Sequence, residues 1–103
     1  MKLQELFKTP EHWTQNSFAR DSDGNKLEEP SESAVCFCLL GALQKYHGGN
    51  IQKAVFRIIR YLEKDKSFVF DAKLSYESNL IRWNDDPSRT IEDIQKLVKD
   101  LDL

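Results

Sequence analysis

The stretch "SAVCFCLLGALQKY", residues 33–46, decides how the rest of the chain is read. Residues 34–43 are apolar without a break. That run is too short to span a bilayer, which takes about 20 residues. A helix that is apolar on every face is one buried on every face. The stretch therefore predicts a central helix over residues 33–46, capped by Ser31 or Ser33 and ended by Gly48-Gly49. Gly41 stands inside it. A mid-helix glycine costs about 1 kcal/mol against alanine, so close approach of another backbone is the expected compensation.

Toward the C-terminus, Asn50 is placed to cap the next helix. Ile51, Ala54, Val55, Ile58, Ile59 and Leu62 follow at i, i+3, i+4, i+7, i+8 and i+11, the clearest period in the chain. The segment "SFVFDAKL" is expected as loop, followed by a helix over residues 74–81. The last helix, residues 91–101, carries Ile91, Ile94, Leu97, Val98 and Leu101 on one face. Toward the N-terminus, Leu3, Leu6 and Phe7 predict a short amphipathic helix. Thr9, Pro10 and Glu11 predict a second short one. Asp23-Gly24 and Gly24-Asn25 are turn dipeptides, so a small hairpin or ordered loop is expected near residues 18–28. The fold class expected is mainly α: about five helices packed around a buried central one, in a single globular domain, residues 1–103.

The chain has 103 residues and a net charge of −2, too small for an acidic DNA mimic or a wholesale nucleic-acid binder. Its first residues lack the apolar core of a signal peptide, so a cytoplasmic protein with two reduced cysteines and no membrane contact is expected. Cys36 and Cys38, placed on a helix, would point to different faces and could not share a metal ion, and zinc spacings are absent. Cys38 reads as small apolar filler rather than a nucleophile, since His47 is distant. No catalytic residue, cofactor or metal is assigned.

Two constellations remain. The first is "WNDDPSRT", residues 83–90. Thr90 and Asp93 are spaced as a capping box, and Asn84, Asp85 and Pro87 are turn formers. Every polar residue there has a structural task available. An Arg20–Asp85 or Asp21–Arg89 ion pair could tie the hairpin to it. The sharper alternative is a polar cleft shared by Arg20, Asp21, Asn84, Asp85 and Arg89, serving a small ligand-binding domain or enzyme.

The second constellation is charge. Residues 1–33 carry four Lys/Arg against seven Asp/Glu, residues 34–66 six against two, and residues 67–103 five against eight. The basic middle places Lys53, Arg57, Arg60 and Lys64 on one helix face, with Phe56 and Tyr61 off the apolar stripe. A solvated outer face is the plain interpretation. A contact surface for phosphates or an acidic partner is the sharper one.

Trp13, the "ARD" of residues 19–21 with Gly24, "CLLGAL" at residues 38–43, and "WND-P-RT" at residues 83–90 form an ordered set of blocks. In that set the chain resembles a family of small bacterial and phage proteins of unknown function. The resemblance runs from about Trp13 to Leu101 and lends nothing between Gly48 and Tyr76. It implies a compact, mostly helical domain and brings no activity. The function expected is a small interaction module that binds a protein partner or a second copy of itself. The alternative is the small ligand-binding domain or enzyme of the polar cleft, and nucleic-acid binding by the basic helix stands third.

Overall fold

The structure, a computed structural model, describes residues 1–103. Five α-helices are formed: α1 (Leu3–Leu6), α2 (Leu39–Tyr46), α3 (Ile51–Leu62), α4 (Tyr76–Asn84) and α5 (Ile91–Asp100). A 3₁₀ turn, Pro10–His12, follows α1. Three short strands, β1 (Ala19–Arg20), β2 (Lys26–Leu27) and β3 (Cys36–Phe37), make an antiparallel sheet in the order β2-β1-β3.

The α3 period folds as its spacing demands. Ala54, Val55, Ile58, Ile59 and Leu62 are all buried, and Asn50 caps the helix by accepting a bond from the Lys53 N–H at 3.1 Å. In α5 the capping box is complete: the Thr90 hydroxyl accepts from the Asp93 N–H, and the Asp93 carboxylate accepts from the Thr90 N–H. The β1–β2 hairpin pairs Ala19 with Leu27 and Arg20 with Lys26. Its turn needs a left-handed residue, which Gly24 supplies at φ 82°. Residues 67–74 form no helix or strand, as expected of "SFVFDAKL".

The central stretch differs from expectation. Helix α2 begins at Leu39, not Ser33, because Cys36 and Phe37 pair with Arg20 and Ala19 as a third strand. A short unbroken apolar run suits a buried strand as well as a buried helix, and periodicity alone cannot separate the two. Neither Ser31 nor Ser33 is the cap. Cys38 takes that place, its Sγ accepting from the Gly41 N–H at 3.2 Å. What remains of the helix is buried from Leu39 to Leu43 and touches α1, α3, α4 and β3. The close approach expected at Gly41 is present: a Cβ there would run into the Phe18 carbonyl oxygen. That oxygen also accepts from the Cys38 N–H at 3.0 Å, which binds the start of α2 to β1.

Helix α4 also starts later than expected and runs further, from Tyr76 to Asn84, with Ser75 as its cap. Trp83 and Asn84 are therefore helical rather than part of a turn. One apolar core joins all five helices to the sheet, with Phe7, Phe37, Leu39, Ile58, Leu80 and Leu97 fully buried. Each such side chain contributes about 1.5–3 kcal/mol relative to an exposed one.

Candidate functional site

Asn84 sits in the last turn of α4 with none of its surface exposed. Its Oδ1 accepts from the Trp13 indole N–H at 2.8 Å and from the Leu39 N–H at 3.1 Å. Its Nδ2 donates to the Thr14 carbonyl at 3.2 Å and to Asp85 Oδ1 at 2.9 Å. A buried amide needs all these partners, because each unmet group costs about 1–3 kcal/mol. Asp85 Oδ1 also accepts from the Asn16 N–H at 2.9 Å. Asn16 is left-handed, φ 65°, which asparagine tolerates better than most residues. Gln15 donates to the carbonyl of Asn84 (2.9 Å), which the end of α4 leaves open, and to that of Asp86 (2.8 Å) just beyond it.

Arg20 reaches the same segment from the hairpin. It donates to Thr14 Oγ1 at 2.9 Å, to the Gln15 carbonyl at 3.2 Å and to the Gly24 carbonyl at 3.1 Å. Arg20, Asn84 and Asp85 thus gather about residues 13–16. Asp21 is engaged in the hairpin turn, where it accepts from the Asn25 and Asp23 N–H groups. Those bonds, the one from Asn25 first, hold its carboxyl below the usual range. Arg89 lies elsewhere. Its Nε donates to the Trp83 carbonyl at 2.9 Å and its guanidinium stacks on the Trp83 ring at 4.1 Å. It pairs loosely with Asp86 (3.9 Å) and Asp93 (3.5 Å). Neither expected ion pair, Arg20–Asp85 or Asp21–Arg89, forms; Arg20 and Asp21 are already bound within their own neighbourhood.

Two open clefts flank the end of α4. One, about 450 Å³, runs between the hairpin and α4, with Phe18, Leu27, Ile81 and Asp85 in its wall. The other, about 360 Å³, lies between α4 and residues 67–69, with Arg82, Trp83 and Arg89 in its wall. The polar run at residues 14–17, which drew no attention in the sequence, is what the motifs share. Its only signal was a cluster of hydrogen-bonding side chains directly after Trp13.

The cysteines stand differently from expectation too. They occupy a strand and a cap, so the helix-face reason for separating them does not hold. Cys38 is buried, and burial pushes its thiol up to about 11, which disfavours the thiolate that a nucleophile needs.

On α3, Lys53, Arg57, Arg60 and Lys64 are all exposed, and none belongs to an ion pair. Arg57 donates to the Leu101 carbonyl at 3.0 Å. Phe56 is 42% exposed and stacks on Tyr76 at 5.5 Å, with the Arg60 guanidinium 5.7 Å from its ring. Tyr61 turns away to α5, its hydroxyl donating to Asp100 Oδ2 at 2.6 Å, an oxygen that Lys96 also holds. Desolvation first, and Asp100 second, raise the Tyr61 hydroxyl above its usual range.

Fold and site together define a small, mainly helical domain whose sequence blocks meet around one buried asparagine. The chain belongs to a family of unknown function, DUF6197, whose profile matches residues 4–101. No curated protein and no solved structure matches the chain. No helix is long and apolar enough to cross a membrane.

Proposed function

We propose that this domain is an interaction module organised around α2, whose contact surface is the outer face of α3. Phe56 is the anchor, and Lys53, Arg57, Arg60 and Lys64 surround it. The observation that carries the proposal is the absence of neutralisation: four cations flank an exposed aromatic stack, and no carboxylate pairs with any of them. Aromatic and arginine side chains are the residues that dominate protein interfaces. The partner that fits is an acidic protein segment with an apolar residue for the Phe56–Tyr76 surface. A long polyanion fits less well, because the chain is negative overall and carries acidic stretches on both sides of α3. A cytosolic bacterial or phage setting goes with this proposal.

The test is a pull-down with the full chain beside an Arg57→Glu/Arg60→Glu variant and a Phe56→Ala variant. Both should melt within a few degrees of wild type, since they alter exposed positions. Both should release a partner that wild type retains, and the segment bound should be acidic. Retention by both variants ends the proposal. Retention of nucleic acid instead, with affinity falling steeply in salt, would replace the partner class. Concentration-dependent self-association lost in the variants would make the partner a second copy.

The alternative, a ligand site or enzyme built jointly from the "ARD" and "WND-P-RT" motifs, has less support. Arg20 and Asn84 are occupied by bonds within the protein. Asp85 and Arg89 line two different clefts, so the two motifs share no open one.

A further inference from the structure

The cleft of about 360 Å³ beside Arg89 is within the size range of small-molecule sites. Arg82 and Arg89 both line it, and both are held in place. Arg82 Nη2 donates to the Val69 carbonyl at 2.6 Å and to Asn79 Oδ1 at 2.9 Å. Asn79 is itself fully buried and fixed by the backbone of Asp71 and Ser75. The Arg82 Nε and Nη1 hydrogens have no acceptor in the protein, and Arg82 belongs to no ion pair. Arg89 is clamped on Trp83 and already has two carboxylates within 4 Å, Asp93 at 3.5 Å and Asp86 at 3.9 Å. Asp86 also lines the cleft, its carboxylate bound by the Ser88 N–H and hydroxyl. One unneutralised, preoriented guanidinium is left. The apolar part of the wall comes from Trp83, Phe68 and Val69, the last 70% exposed.

We propose that this cleft binds a small organic monocarboxylate with an apolar body, and that Arg82 anchors the carboxylate. A guanidinium offers paired N–H donors that match a carboxylate's two oxygens, and one already fixed in place loses little freedom on binding. The single free charge matches a monoanion. A phosphate dianion would meet Asp86 in the same space. The apolar wall takes the body of the ligand. This site is independent of the α3 surface.

The experiment is an amide chemical-shift titration of the full chain with benzoate and, separately, with inorganic phosphate. Benzoate should produce saturable shifts at Val69, Arg82 and Trp83. Arg82→Gln should weaken binding at least tenfold, and Arg82→Lys should recover part of it. Because Arg82→Gln also loses a bond to the 67–69 loop, Val69→Asp is the second variant. It keeps the Val69 carbonyl, stands at an exposed position, and should weaken benzoate tenfold where Val69→Asn does not. Shifts that do not saturate, phosphate binding equal to or tighter than benzoate, or indifference of benzoate to Arg82→Gln and Val69→Asp overturns the proposal.

Discussion

The end of α4 and the outer face of α3 are both rich in polar side chains, and they use them in opposite ways. At α4, Asn84 is fully buried and four partners from three separate segments close around it. On α3, four cations stand in solvent with no opposite charge to hold. A buried polar group without partners costs far more than a satisfied one contributes, so the first region is constrained by the fold. An exposed charge costs little either way, so the second is free to be selected for what it meets. Polar clusters that look alike in a sequence thus divide by burial into architecture and surface.

Substitutions can break that contrast, and the largest effect is expected at Gly41. Alanine there favours the helix locally but drives its Cβ into the Phe18 carbonyl. Overpacking against backbone should cost on the order of 3 kcal/mol, and each kcal/mol lowers the melting midpoint of such a domain by about 4–8 °C. Asn84→Ala comes next. It strands the Trp13 and Leu39 N–H groups and should cost about 2–3 kcal/mol in urea unfolding. Arg89→Ala, which removes one hydrogen bond and a stack on Trp83, should cost only about 1 kcal/mol. Equal losses in those two variants would erase the distinction between the two sides of the motif. On α3, Arg57→Ala and Arg60→Ala should each stay within about 0.5 kcal/mol of wild type.

The smallest effect is with acid. Asp21, Asp86 and Asp102 are held below their ordinary 3.8, by hydrogen bonds from Asn25, Ser88 and Lys2 respectively. A depressed folded value stabilises fully above the unfolded one and is lost as pH falls through the folded value. The midpoint from these groups should therefore be level near neutrality and decline below about pH 4. Asp21→Asn and Asp86→Asn should flatten that decline, while charge reversal at Arg60 should leave it in place.

Helices α3 and α5 were legible because each carries its own evidence: an apolar period and a cap within a few residues. Gly41 was legible because a glycine in a buried helix demands a close neighbour. Cys36 and Phe37 were not, because strand pairing with Ala19 and Arg20 depends on a segment some 17 residues away and leaves no period in a two-residue strand. Asn84 was assigned to a turn for the same reason. Asparagine is a turn former locally, and what keeps it helical and buried is an indole 71 residues earlier in the chain. The candidate cluster was half legible. Its motifs do converge, but through residues 14–16, whose ordinary polar character advertises nothing.

The chain contains two tryptophans, and they stand on two sides of the end of α4. Trp13 gives its indole N–H to the buried asparagine, and Trp83 lies under the Arg89 guanidinium at the wall of the cleft beside residues 67–69. The molecule thus comes with two native fluorophores in unlike electrostatic environments. With Trp83→Phe, emission follows the hydrogen-bonded junction alone; with Trp13→Phe, it follows the cleft. Opening of the fold and filling of the cleft become separately visible events in one unlabelled protein.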